Sequence, residues 1–489
     1  MNRHVAQIFL AIVAGVLLLI NCSRDKSPRQ IVIAKVGDRT IDWRLLERSY
    51  YLNPKWGRGL TQQKSFENQL NYLVNQKLFA QAALSEGIPD EISMHLKFIK
   101  EKEMIKALYR QEVASHVEIS DAEYERGYQR LKKKVKLEFI LTPDIANARR
   151  YVSELKTSPV DAIRLISPEN EEKGVTPLFG FGEMSPSVED VVFDMRQGET
   201  AGPIPVGNNY LAIKLIDGQV EKFMSRMDFM EKLSKIRKVI YDRKAQLISH
   251  NYIYGLMKEQ AVKINPRTFA ALTEQFSRII ENKKTDAALP VYVNNRELKT
   301  TETNLRDIAD EVLVTYKTGQ LTVREFIGGL LNMPAGMRPQ VKLAPQLKKA
   351  IGIAVRNLYL AKRAYRQGLD QTPEVCYEAE WQCDEVLSRY WLKKIRDKLT
   401  ASEDEIAAFK KTETFKKVSK RFNGRLTDEA LEDVVLDYKF VQRQIEVGDS
   451  LSVLYPIAID TALFHKQLSQ PNKIIKSNPV RLAYRELFQ

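Results

Sequence analysis

The sequence predicts an α+β protein in which one compact strand-containing unit is inserted between helical segments, and a second helical module duplicates the first. Three observations predict it. Apolar residues recur at helical spacing through Phe66, Leu70, Leu73, Val74, Leu78, Phe79 and Ala82. From Val135 to Ile216 the pattern changes to an alternating strand, a helix, a Gly-rich turn, a short helix and a closing strand. In the second half, Ala361, Ala364 and Gly368 match Ala80, Ala83 and Gly87 at an offset of 281, and Ser402 to Ile406 match Ser120 to Tyr124 at 282.

In chain order, Arg3 and His4 precede an almost unbroken apolar run from Val5 to Ile20, which reads as a signal-peptide core too short for a comfortable span of ~20 residues. Leu19-Ile20-Asn21-Cys22 then resembles a bacterial lipobox, with Asn21 where a small residue is usual. The resemblance implies that Cys22 is the lipidated first residue of an exported, tethered protein. The alternative is an uncleaved anchor with an incidental cysteine. Ile31 to Val36 and Gly37-Asp38 predict a small hairpin running into a helix from Ile41. Helices follow up to Gly87 and from Asp90 to Val113, and Ser120 with Glu123 has the spacing of a capping box. Leu137 to Leu141 alternate as a strand, Ile145 to Leu155 are helical, and Ser167 to Pro177 read as polar loop.

After Phe179-Gly180-Phe181-Gly182, a short helix spans Val188 to Met195, Asn209 to Ile216 form a strand, and Glu221 to Ala261 return to helix. Leu313 to Phe326 repeat the opening hairpin and helix, while Val434 to Tyr438 read as a strand in a mostly polar tail. The divisions are therefore a leader over 1–21, a helical module over 22–134, the strand-containing unit over 135–218, a long helix and linker over 219–290, a second helical module over 291–410 and a C-terminal segment over 411–489.

Composition excludes more than it assigns. Of 489 residues, 44% are hydrophobic and 28% charged, which fits neither a disordered nor a polytopic membrane chain. Three cysteines and five scattered histidines provide no disulfide framework and no metal site. Cys376 and Cys383 are seven residues apart in one helix, ~10 Å and so beyond disulfide reach, and read as buried. The net charge of +14 favours anionic surfaces or acidic clients, yet an exported chain leaves nucleic acid without a role. The G-x-G of Gly180 to Gly182 lacks a third glycine and a strand-to-helix setting, so no nucleotide is expected. Lys132 to Lys134, Arg149-Arg150 and the basic face of Lys222 to Lys244 read as solvated surface, and no Ser, His and Asp fall in a catalytic arrangement. Trp43, Trp381 and Trp391 read as packing residues, and Trp56 lies in a Gly-rich loop that could touch clients.

Val135 to Asp217 resemble the parvulin family of peptidyl-prolyl isomerases, and the flanks resemble the helical chaperone domain of SurA and PrsA folding factors. The matching residues are Leu137 to Leu141, Phe179 to Phe181, Gly182 to Phe193, Arg196 to Ile204 and Tyr210 to Leu215. The family resemblance implies rotation about X-Pro bonds, whose barrier is ~18–20 kcal/mol, in an apolar pocket with a histidine pair beside it. It also implies a peptide groove lined by Phe139, Phe181, Met184, Val188, Phe193 and Leu211, with Met184 at the family Met and Val188 at its Phe. The histidine positions are occupied by Phe139 and Leu211, the family's Cys or Asp falls near Glu169, and no His or Cys occurs between Val135 and Asp217.

The expectation is therefore a folding factor on the periplasmic face of the cell envelope, held by lipid at the outer membrane, that binds unfolded exported proteins. It needs no cofactor or metal and has weak or no isomerase activity. The alternatives are an active isomerase and a non-catalytic subunit of an envelope assembly or secretion complex.

Overall fold

The opening hairpin, most of the helices and two strands of the inserted sheet form where sequence periodicity places them. The computed structural model describes residues 31–52, 60–220, 226–281, 283, 292–341, 343–421 and 427–469, so the leader, Cys22 and Trp56 lie outside the described residues. Two compact units are present: one holds the described residues up to Leu108 and from Gln260 onward, the other Tyr109–Glu259. Among the described residues no helix is long and apolar enough to cross a membrane.

The first unit begins with β1 (Val32–Val36) and β2 (Arg39–Asp42), joined through Gly37-Asp38. Gly37 has φ +57°, a conformation that favours glycine, and a Cβ there would press on the end of the Gln81 side chain. Asp42 accepts from the Leu45 amide and opens α1 (Trp43–Leu52). The next two helices are α2 (Gln62–Glu86), capped by Thr61, and α3 (Asp90–Glu112). In the core, Ile33, Val36, Ile41, Leu46, Phe66 and Leu73 pack with Leu387, Trp391, Leu451 and Phe464 from much later in the chain.

Those later residues belong to a second copy of the same element order. β8 (Val312–Tyr316), β9 (Gly319–Thr322), α10 (Val323–Leu331), α11 (Ala344–Arg366) and α12 (Pro373–Arg396) repeat β1, β2, α1, α2 and α3. The copies interlock. α12 lies along α2, where Trp391 stacks on Phe79 at 5.2 Å and donates to Glu86 at 3.0 Å. Between the two helices the buried Asp384 pairs with Arg39 and, at 2.9 Å, with Lys77. The sheets are exchanged as well. β10 (Ile457–Ile459), near the end of the described chain, pairs with β1 and is followed by α16 (Thr461–Leu468). β7 (Lys263–Ile264), followed by α8 (Pro266–Glu281) and then α9 (Asn295–Asn304), pairs with β8. Each hairpin thus receives its third strand from the strand and helix that close the other repeat.

The second unit contains α4 (Asp121–Leu131), whose Ser120 and Glu123 form the expected capping box. Its sheet has the order β4-β3-β6-β5, all antiparallel, from β3 (Lys133–Thr142), β4 (Glu172–Val175), β5 (Thr200–Val206) and β6 (Asn209–Val220). One face carries α5 (Ile145–Thr157) over Ile140, Tyr151, Leu155 and Ala212. On the other face, Leu137, Phe181, Val192, Phe193 and Ile213 pack with Leu131 of α4 and Ile236 and Ile240 of α7 (Arg226–Met257).

The α4/α7 pair has a twin in the first unit, α13 (Glu403–Lys410) against α15 (Asp428–Leu454), with α14 (Glu413–Arg421) between them in sequence. Lys244 of α7 pairs with Glu123, and Lys439 of α15 pairs with Glu405, the equivalent capping-box residue. The offset between copies is 282 at the glutamates and 195 at the lysines, and the loss is about the length of the β3 to β6 unit. Gly127 corresponds to Phe409 at the larger offset. In the first copy Phe181 of the inserted sheet approaches the Gly127 position, whereas in the second Phe409 itself fills the contact with Leu431 and Val435.

Three expectations are corrected. Residues 172–175, expected in a loop, form β4, because Glu172 to Val175 pair with β3 and supply an edge strand despite their polarity. Val434 to Tyr438 are not a strand but part of the helix α15, since Leu431, Val435 and Leu451 are buried and Val447 half-buried at helical spacing. Cys383 is a free thiol that is only half-buried on α12. Trp391 is buried, and Trp43 and Trp381 pack against the same core.

Candidate peptide groove of the inserted unit

The turn between β4 and α6 (Pro186–Val192) is held by one buried carboxylate. Ser185-Pro186 starts α6 with proline in the first turn, a position that needs no amide donor. This places Glu189 beneath the turn, fully buried, where Oε1 accepts from the amides of Gly182 at 2.7 Å and Met184 at 3.3 Å. Its charge is met by Arg243 of α7, 2.9 Å from Oε2. Arg243 also donates to the Met184 carbonyl at 3.2 Å and lies 5.2 Å from the Phe181 ring centroid. Gly182 has φ +90°, and a Cβ there would fall 2.6 Å from Val239, so α7 reaches the turn only because residue 182 is glycine.

Six residues were expected to line the groove. Phe181, Val188 and Phe193 are buried in the core below the turn. Phe139, Met184 and Leu211 are half-buried at the margin of the same cluster, and these three alone combine apolar character with accessible surface. Phe139 lies on β3 opposite Gly174 of β4, where a Cβ would come within 3.3 Å of its ring. Leu211 lies on the neighbouring β6, opposite Leu141. The two positions that would carry the histidine pair are thus on adjacent strands but present a phenyl ring and an isobutyl group.

On the α5 face of the sheet and at the turn, three ionisable groups are held by fixed partners. Burial raises the pKa of Glu171, but donors from the Ser167 amide, Tyr151, Thr142 and Asn147 outweigh it and bring the carboxyl down to about 2. Burial and the Glu171 charge push Tyr151 up to about 12. The Gly180 amide, helped by Lys235, lowers Glu183. These groups do not exchange protons near neutrality, and at the groove Phe139, Met184 and Leu211 form an apolar margin beside the turn held by Glu189. Glu169 is exposed and makes only a 3.3 Å contact with its neighbour Asn170. Among the described residues no cluster of His, Cys, Asp and Glu could hold a metal.

Sequence reading missed Glu171, Glu189 and Arg243. Arg243 lies in a segment that reads as long helix and linker, and only the paired glycines 127 and 182 hint that another element approaches closely.

No family model matches the chain. It is 25% identical over 167 residues to the foldase protein PrsA of Geobacillus sp. (strain WCH70), covering 30% of this chain and 60% of that one. Solved structures that resemble it include one from a study of the two SurA-like chaperones PEB4 and Cj1289 of Campylobacter jejuni, with 16% identity and a TM-score of 0.21, covering 48% of this chain and 100% of that chain. Another is the peptidylprolyl isomerase PrsA of Bacillus anthracis, with 16% identity and a TM-score of 0.20 over 40% of this chain and 99% of that chain. In sequence, part of this chain is similar to a foldase protein PrsA, and it spans 60% of that relative's length.

Proposed function

We propose that the protein is a folding factor of the cell envelope that binds unfolded exported polypeptides, with weak or no prolyl isomerase activity. The observation that carries this reading is the replacement of the histidine pair by Phe139 and Leu211 beside a retained Met184 turn. A twisted prolyl amide gains stabilisation from polar groups aimed at it, and this surface provides none from those two positions. Phe139, Met184 and Leu211 instead offer a patch for apolar segments, suited to modest affinity and broad sequence tolerance. Lipid at Cys22 would hold the protein at the envelope, on the periplasmic face of the outer membrane.

Two assays on the full chain test the reading. Isomerisation of a proline peptide should proceed at or near the uncatalysed rate, while aggregation of several unrelated unfolded substrates should be suppressed. A rate near that of an intact parvulin would overturn the first half. Failure to suppress aggregation, with co-purification at fixed stoichiometry with one envelope complex, would make the protein a machine subunit instead. Met184→Ser with Leu211→Ser should weaken suppression severalfold.

A further inference from the structure

The internal duplication provides a control for surface residues, because equivalent positions in α7 and α15 can be compared directly. With Lys244 aligned to Lys439, the buried Ile236 and Ile240 match Leu431 and Val435, so the register is right. Further along, Gln246 and His250 of α7 are exposed and polar. Their equivalents on α15 are Val441 and Ile445, 52% and 55% exposed, and they extend from Tyr438, itself 41% exposed. Val434, Tyr438, Val441 and Ile445 follow one another at steps of four, three and four, so they form a single stripe along the helix. Solvent faces both copies here; α7 exposes Leu247 and Tyr254, at the positions of Gln442 and Asp449, but the line through Val441 and Ile445 is apolar in α15 and polar in α7.

The charge around the stripe is equally particular. After its first residue α15 carries six acidic residues, Glu429, Glu432, Asp433, Asp437, Glu446 and Asp449, against Lys439 and Arg443, in a chain whose net charge is +14; of these, Asp437 pairs with Arg396 and Glu446 with Arg443. A stable interface with a second copy needs roughly 800 Å² from each partner, far more than this short stripe supplies. Its size suits a transient occupant, and its charge suits a basic one.

We propose that the α15 stripe is a second client-binding surface, taking apolar segments of unfolded polypeptide that carry lysine or arginine beside their apolar residues. The proposal rests on the folding-factor reading but concerns a surface separate from the Met184 patch.

The test uses the full chain and a fluorescent fifteen-residue peptide with leucines at helical spacing and four lysines, together with an analogue in which the lysines are glutamates. The lysine peptide should bind at least tenfold more tightly than the glutamate peptide and weaken with added salt. The double variant V441Q/I445H, which transfers the α7 residues to α15, should lose about tenfold in affinity for the lysine peptide. Both positions are exposed, and an unchanged unfolding midpoint verifies the fold. Unchanged peptide affinity in this variant would overturn the proposal, as would equal binding of the two peptides. A more than tenfold gain on deleting residues 470–489 would place the chain's own segment on the stripe and also overturn it. If aggregation suppression persists while the peptide results fail, only the stripe is lost; if suppression is absent in the unaltered protein, the folding-factor reading itself falls.

Discussion

The Nζ of Lys244 lies 2.7 Å from the Glu123 carboxylate and 2.5 Å from the Glu118 carbonyl, closing the N-terminus of α4 from outside. Lys439 does the same for α13, 2.5 Å from Glu405 and 2.6 Å from the Thr400 carbonyl. Glu123 therefore serves twice, as the capping-box acceptor of the Ser120 amide and as the partner of a lysine from a distant helix.

Lys244→Met should raise the pKa of Glu123 from about 2 toward the ordinary glutamate value, because the lysine is the largest cause of its depression and the Ser120 amide the next. A carboxyl resolved by NMR titration reads this directly. The pair is partly exposed, so the loss in stability at neutral pH should be only ~0.5–1 kcal/mol. The difference between variant and parent should vanish as pH falls from about 4 through 2, where Glu123 takes up its proton in both.

Asp384→Ala should be far more damaging. The carboxylate is buried between Arg39 and Lys77, both buried too, and its removal leaves two cations facing each other between α2 and α12. A cost of ~3–5 kcal/mol is expected, read as a fall in the denaturation midpoint of the first unit. Glu380→Ala, which removes a half-exposed partner from the same cluster, should cost several times less.

Glu171 links the pH stability of the second unit to its loop. Its folded pKa of about 2 lies below the unfolded value, so its contribution is complete above about pH 4.5 and disappears as pH falls through about 2. The contribution at neutral pH is roughly 2–3 kcal/mol. Glu171→Gln should lower stability at pH 7 by about that amount and flatten the acid limb of the stability curve, as measured by urea unfolding at a series of pH values.

Gly127→Ala should strain the α4/α7 contact, because the added Cβ would meet Ile236 Cγ2 at 2.7 Å. A loss of ~1–3 kcal/mol is expected. Combined with Ile236→Ala, the second substitution should cost less than it does alone, and a double-mutant cycle on unfolding free energies measures the coupling.

Most elements were legible because their signals are local. The capping box at Ser120, the glycine turn at Gly37 and the periodicity of α2 each specify a boundary within a few residues. The repeat was visible at Ala361, Ala364 and Gly368 for the same reason: a helix end constrains its own neighbours. What escaped was long-range. β4 looks like loop because Glu172 and Lys173 are polar, and only pairing with β3 makes them a strand. Val434 to Tyr438 satisfy a strand pattern over five residues, yet over twenty residues the apolar positions follow the helix. At the candidate groove, the missing histidines were plain in the sequence. The burial of Phe181, Val188 and Phe193 was not, because it depends on α7 and its Arg243 covering the back of the turn.

The pairing of Ala34 with Ile459 has a consequence for how the chain matures. The two residues are separated by 425 positions, and Tyr455 and Phe464 complete the core around the first hairpin from the same far end. Made or delivered from its N-terminus, the chain has β1 waiting with one edge open until almost everything else has emerged, and closing so long a loop is slow. By then the inserted sheet, whose strand pairings all lie between Lys133 and Val220, can already have formed. An early segment is thus among the last to be finished, and during that interval its open edge is the same kind of surface that unfolded proteins present to one another.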